Sequence, residues 1–82
     1  MDIGIIINES IDKAFQELKE NKDNYKINQD IMKNSGGLLL IIRNKKTDKY
    51  WGYKFSLSDF SKDGFIKVVD RLIKEGIEEI RA

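Results

Sequence analysis

Gly36-Gly37-Leu38-Leu39-Leu40-Ile41-Ile42-Arg43-Asn44-Lys45-Lys46-Thr47-Asp48-Lys49-Tyr50-Trp51-Gly52-Tyr53-Lys54-Phe55-Ser56-Leu57 is the stretch that decides the fold. Two glycines break the chain. A run of large aliphatic residues follows, then the polar turn Lys45-Lys46-Thr47-Asp48, then a strictly alternating segment. Alternation with period two is the mark of a strand, and two such runs around a short polar loop predict a β-hairpin. In the second arm Trp51, Tyr53, Phe55 and Leu57 face one way, while Tyr50, Gly52, Lys54 and Ser56 face the other.

The first arm does not alternate. Leu38, Leu40 and Ile42 point to one sheet face, Leu39 and Ile41 to the other. A strand with one solvated face alternates apolar and polar residues, so both faces need cover near the middle. Either the flanking helices lie on opposite faces, which is the expectation, or both lie on the Trp51 face. In the second case Leu39 and Ile41 are interface residues toward a homodimer mate or another target.

Working outward, residues 8–21 read as a helix with Ile11, Ala14, Phe15 and Leu18 on one stripe, and with Asn8 and Ser10 as candidate N-caps. Residues 3–7 read either as a short strand or as a backward extension of that stripe through Ile3 and Ile7, with Asp2 as cap. The helical extension is favoured. Tyr25, Ile27 and Ile31 alternate with Lys26, Asn28 and Asp30, which predicts a half-exposed edge strand; a short helix over 29–34 is the alternative. Beyond the hairpin, Ser58 or Ser61 can cap a last helix whose stripe is Phe65, Val68, Val69, Leu72 and Ile73. Gly76 is either internal to that helix or its stop, and 77–81 is accordingly helix or a short strand. The predicted class is α+β, a three-stranded antiparallel sheet flanked by an N-terminal and a C-terminal helix (α-β-β-β-α), with extra short terminal strands as an open option. Residues 1–82 form one domain, because 82 residues bury only a little over ~60% of their surface.

The composition excludes much. With no Cys there is no disulfide framework, zinc ribbon or thiol nucleophile, and with no His there is no ordinary near-neutral proton shuttle. The longest fully apolar run, 38–42, falls far short of the ~20 residues of a membrane span. Met1-Asp2-Ile3-Gly4 lacks the basic start of a signal peptide. The chain therefore reads as cytoplasmic, in its parent cell or an infected host. Ile, Lys and Asn supply 31 of the 82 residues, which suggests an AT-rich coding source.

Fifteen basic and 14 acidic residues balance. The balance conceals an asymmetry: 43–54 holds five basic residues and one acidic residue, a local charge of +4. Arg43, Lys45, Lys46, Lys49, Tyr50 and Lys54 are the candidate partner-binding residues. Basic groups interleaved with aromatics track phosphates and stack bases, and they equally steer an acidic protein. Lysines on a hairpin also guard it from edge pairing. Asp59, Ser61, Asp63, Gly64 and Asp70 fall at EF-hand positions, but a helix N-terminus with acidic residues explains them better. The carboxylates at 17, 20, 75, 78 and 79 have lysine or arginine nearby, including Lys13, Lys74 and Arg81, and helical ion pairing explains them better than acid–base or metal chemistry. No metal site, cofactor or catalytic residue is expected.

The order of elements resembles the double-stranded-RNA-binding domain. That resemblance implies lysines at the start of the last helix gripping phosphates. The matching stretch, Ser58-Asp59-Phe60-Ser61-Lys62-Asp63-Gly64-Phe65, has one lysine and two aspartates. The outline over 11–20, 37–55 and 65–76 also resembles small phage-encoded anti-CRISPR proteins. That resemblance implies an inhibitor docking on a host effector protein, of nucleoprotein kind. Several such inhibitors are strongly acidic DNA mimics, whereas this hairpin is basic. The expected function is thus a non-enzymatic protein-binding module that occludes its partner, with nucleic-acid binding through 43–54 as the alternative and no membrane partner.

Overall fold

The structure is a computed structural model and describes residues 3–32 and 36–81, without the side chains of residues 57 and 61. Helix α1 spans Ile3–Leu18, strands β1, β2 and β3 span Tyr25–Met32, Gly37–Asn44 and Tyr50–Ser56, and helix α2 spans Phe65–Ile80. Single 3-10 turns at Lys22–Asn24 and Leu57–Ser61 join helix to sheet and sheet to helix. The sheet is an antiparallel meander with β2 at its centre.

The fold class is as the sequence predicts, and several details differ. α1 begins at Ile3 because Ile3, Ile7 and Ile11 continue one apolar stripe; Ile7 is completely buried. Asn8 and Ser10 therefore lie inside the helix and cap nothing. Asn8 instead accepts a hydrogen bond from Gln29 Nε2 at 2.6 Å, and Ser10 is buried against α2. The proposed Asp2 cap lies outside the described residues. α1 ends where Lys19 turns left-handed (φ 56°), letting the Glu20 N–H donate back to the Phe15 carbonyl. β1 runs to Met32, so a helix does not start at Gln29; residues 33–34 of that alternative lie outside the described residues.

α2 starts at Gly64, whose φ of 79° suits glycine, and neither Ser58 nor Ser61 is its N-cap. Its buried face is Val69, Ile73, Gly76, Ile77 and Ile80, with Phe65 and Leu72 half-buried and Val68 exposed. The stripe thus lies further along the helix than the sequence pattern alone indicates. Gly76 is internal, and Ile77 and Ile80 extend the helix, so among the described residues neither end adds a strand.

Gly76 is there for a reason outside its own helix. A Cβ at this position would fall 2.6 and 2.8 Å from Cε2 and Cε3 of the Trp51 indole, and closer still to Cδ2. Real Cβ atoms keep about 3.5 Å or more from ring carbons, so only glycine lets α2 lie this close to β3. Trp51 begins an aromatic ladder that continues through Tyr53, Phe55, Phe60 and Phe65.

Both helices pack on the same sheet face. Register puts Tyr25, Ile27, Leu38, Leu40, Ile42, Trp51, Tyr53 and Phe55 on that face. α1 lies over β1, with Phe15 and Tyr25 ring centroids 4.9 Å apart, and α2 lies over β3 through Gly76. Between the helices Ser10 donates to Asp70, Lys13 pairs with Asp70 at 3.3 Å, and Lys74 pairs with Glu17 at 3.4 Å. These pairs ascend together in number, so the helices run parallel. Helices on opposite faces are thereby excluded. The physical reason is that the stripes of α1 and α2 join the even-numbered residues of β2 in one cluster around Leu38, Leu40 and Ile42. Each fully buried aliphatic or aromatic side chain there contributes ~1.5–3 kcal/mol. No described helix is long and apolar enough to cross a membrane.

Candidate functional site

One face of the sheet carries neither of the described helices. Its residues form rows across the strands: Lys26, Arg43 and Tyr50; then Asn28, Ile41 and Gly52; then Asp30, Leu39 and Lys54. Leu39 and Ile41 are half-buried by their neighbours, whereas Leu38, Leu40 and Ile42 on the opposite side are fully buried. Gly52 leaves the flank of Ile41 open, since a Cβ there would meet Ile41 Cγ1 at an ordinary 3.6 Å. The open face is therefore a small apolar strip framed by charge.

The turn that closes the hairpin is built by Asn44. Its N–H donates to the Lys49 carbonyl and its carbonyl accepts from the Asp48 N–H, both at 2.8 Å. The side chain is buried; Oδ1 accepts from the Lys46 N–H at 2.9 Å, and Nδ2 donates to the Ile80 carbonyl at 2.9 Å. One amide thus shapes the basic turn and satisfies an end carbonyl of α2. Asp48 takes a left-handed conformation (φ 65°) that an Asp tolerates.

The six candidate residues do not form one cluster. Arg43 and Tyr50 are neighbours, and Lys26 of β1 completes their row. Tyr50 is 67% exposed, so its ring is free to stack. Arg43 approaches Asp48 at 3.9 Å. Lys45 is turned to the β1 side, where its N–H donates to the Asn24 carbonyl and its Nζ to the Asp23 carbonyl at 3.1 Å. Lys46 and Lys49 are exposed on the turn. Lys54 lies two rows away, its stem crossing Gly37, where a Cβ would sit 2.6 Å from Lys54 Cε.

Sequence reading missed Lys26, Asn44 and the pairing of Ser10 with Asp70. Lys26 was legible as the polar face of β1, but its row depends on register. Ser10 reads as a cap and Asp70 as a calcium-loop position, and nothing in sequence joins them across 60 residues. Two of the residues at EF-hand positions are engaged elsewhere. Asp59 pairs with Lys62 at 2.8 Å and Asp70 turns to α1, while the Ser61 side chain lies outside the described residues. Among the described residues no three Asp or Glu converge as metal ligands. The hydrogen bond to Asp59 favours charged Lys62 and raises its pKa.

Glu17 and Asp70 at the helix seam are paired as well. The α1–α2 seam opens into a groove lined by Ser10, Lys13, Glu17, Asp70, Arg71 and Lys74, and its acids and bases neutralise one another. Among the described residues Tyr25 is the one strongly shifted group: burial, then its 2.6 Å hydrogen bond to Glu20, push its phenol from 10.0 up to about 12. That bond ties β1 to the end of α1 and is structural. Tyr53, on the same face as Trp51 and Phe55, is 41% exposed because it sits on an edge strand; Leu57, read as the next residue of that face, has its side chain outside the described residues.

No protein-family model matches this chain, no curated protein matches it, and no solved structure matches it.

Proposed function

We propose that this chain is a non-enzymatic protein-binding module that docks through the open sheet face and the basic end of its hairpin. The observation that carries this reading is the placement of both helices on one face. It leaves Leu39 and Ile41, framed by Lys26, Arg43, Tyr50 and Lys54, half-buried with neither described helix over them. An apolar strip inside a polar frame is the usual layout of a protein interface. The exposed lysines of the turn add steering toward an acidic partner. Absence of His and Cys, and acids engaged by lysines at the helix seam, favour binding over catalysis. A rigid sheet placed on a functional surface inhibits by occlusion. The outline shared with small phage-encoded anti-CRISPR proteins makes a cytoplasmic host effector, of nucleoprotein kind, the first partner class to test.

Capture from a host lysate by the parent chain and by Ile41→Lys, each checked for fold by circular dichroism, tests the proposal. A partner that stays bound to the parent in moderate salt and is lost by the variant supports it. Equal capture by both, or repeated capture of nothing, overturns it.

A second reading has one observation in its favour. Tyr50 lies in a row with Arg43 and Lys26, an exposed ring beside two cations, which suits a stacked base on a neutralised backbone. Asp48 beside Arg43 and Asp30 on the same face weigh against it. Affinity for single-stranded oligonucleotides falling steeply with salt, and weakened by Lys45→Glu with Lys46→Glu, is its signature.

A further inference from the structure

We infer that the free edge of β3 takes up an extended acidic segment of the partner as a fourth strand. This inference rests on the protein-binding reading above and names the chemistry of what binds.

The first observation is the hydrogen-bond parity of β3. In an antiparallel ladder, residues alternate between pairs bonded across and pairs turned away. The Asn44 N–H bonds the Lys49 carbonyl. The bonded pairs are therefore Ile42 with Trp51, Leu40 with Tyr53, and Leu38 with Phe55. Tyr50, Gly52 and Lys54 consequently turn their N–H and C=O groups to the outer edge, where no described strand pairs with them.

The second observation is that lysine charge is the one guard this edge carries, and an acidic strand neutralises it. Edge strands are protected by proline, by bulges, or by long charged side chains laid over the rim. β3 has no proline, and its register against β2 is continuous. Gly52 has no side chain to shield its backbone. Lys54 leans inward across Gly37, away from the edge.

The third observation is charge. Residues 49–56 contain two lysines and no acid. Lys49 and exposed Lys46 stand at one end of the strand and Lys54 near the other. A second copy paired along β3 adds lysines to lysines, so the favoured occupant is acidic. β1, the other edge, carries Lys26 and Asp30 and has no such bias. The two sides of an added strand also meet different surfaces. On the helix side lies exposed Tyr53, flanked by Trp51 and Phe55 rings at 6.1 and 4.8 Å. On the open side lie Tyr50 and Lys54. An occupant alternating apolar and acidic residues satisfies both, with main-chain bonds supplying affinity and alternate side chains supplying selectivity.

The test is amide hydrogen exchange of the intact chain with a peptide alternating Glu and Val, against one alternating Lys and Val. The expected result is binding of the acidic peptide only, with exchange at Tyr50, Gly52 and Lys54 slowed ~10-fold or more at saturation. No binding at millimolar acidic peptide overturns the inference. So does binding that perturbs Leu39 and Ile41 but leaves the three edge amides unchanged; that outcome retains the protein-binding module and removes the edge. Edge amides already protected in a chain of doubled mass make a second copy the occupant. Protection by oligo-dT in preference to the acidic peptide makes the edge a nucleic-acid site. Either of these results also overturns the inference.

Discussion

Replacing Gly76 by alanine separates two opposing effects whose sizes are known. Within a helix, alanine is favoured over glycine by about 1 kcal/mol, so a surface Gly76 would make the variant more stable. Gly76 is instead buried with a Cβ direction that points into Trp51. The separations of 2.6 and 2.8 Å to Cε2 and Cε3 fall about 1 Å short of ordinary carbon contact. Trp51 stacks on Tyr53 with the ring planes 11° apart, so the indole does not yield without losing that contact. Overpacking of this kind costs about 1–3 kcal/mol. The balance is a net loss of up to about 2 kcal/mol, a fall of up to about 16 °C in the melting temperature of a domain this small. Thermal melts followed by circular dichroism measure it. A double-mutant cycle identifies the cause: in a Trp51→Leu background the clash is absent and Gly76→Ala becomes neutral or stabilising. A parent chain stabilised by Gly76→Ala would refute the packing of α2 on β3.

Three further outcomes follow from the same geometry. Asn44→Ala leaves the Ile80 carbonyl and the Lys46 N–H without their partner, at a cost of about 2–3 kcal/mol in urea unfolding; Asn44→Asp, which keeps the turn acceptor but loses the donor, does not restore it. Tyr25 titrates at about 12 in the fold against 10.0 unfolded, so the stability it contributes is complete below pH 10 and is lost as pH rises through about 12; the shift corresponds to about 2–3 kcal/mol, and Tyr25→Phe removes that alkaline slope. Ile41→Lys changes stability by about 1 kcal/mol or less, whereas Ile42→Lys, with its side chain fully buried, unfolds the chain.

The hairpin was legible because its signals are local: alternation in 50–56 and four polar residues between two apolar arms. The start of α1 was partly legible, since Ile3, Ile7 and Ile11 share a stripe, but capping residues at Asn8 and Ser10 competed with it. Leu39 and Ile41 show why the helix placement was not legible. Apolar residues on a second sheet face look the same whether a helix covers them or their neighbours and a partner do. Gly76 reads as a flaw or a stop within its helix, and its reason, Trp51, lies 25 positions away. The candidate site divides along the same line. Its charge is a property of one segment and was visible. Its shape was not, because joining Lys26 to Arg43 and Tyr50 requires the β1–β2 register, and tying Lys45 to Asp23 requires the loop beneath it.

The open face of the sheet is read out by solvent relaxation of methyl signals. With a soluble paramagnetic agent added to methyl-labelled chain, the signals of Leu39 and Ile41 broaden while those of Leu38, Leu40 and Ile42 stay sharp. Equal protection of all five would mean that a helix or a second copy covers the face, and would contradict the account.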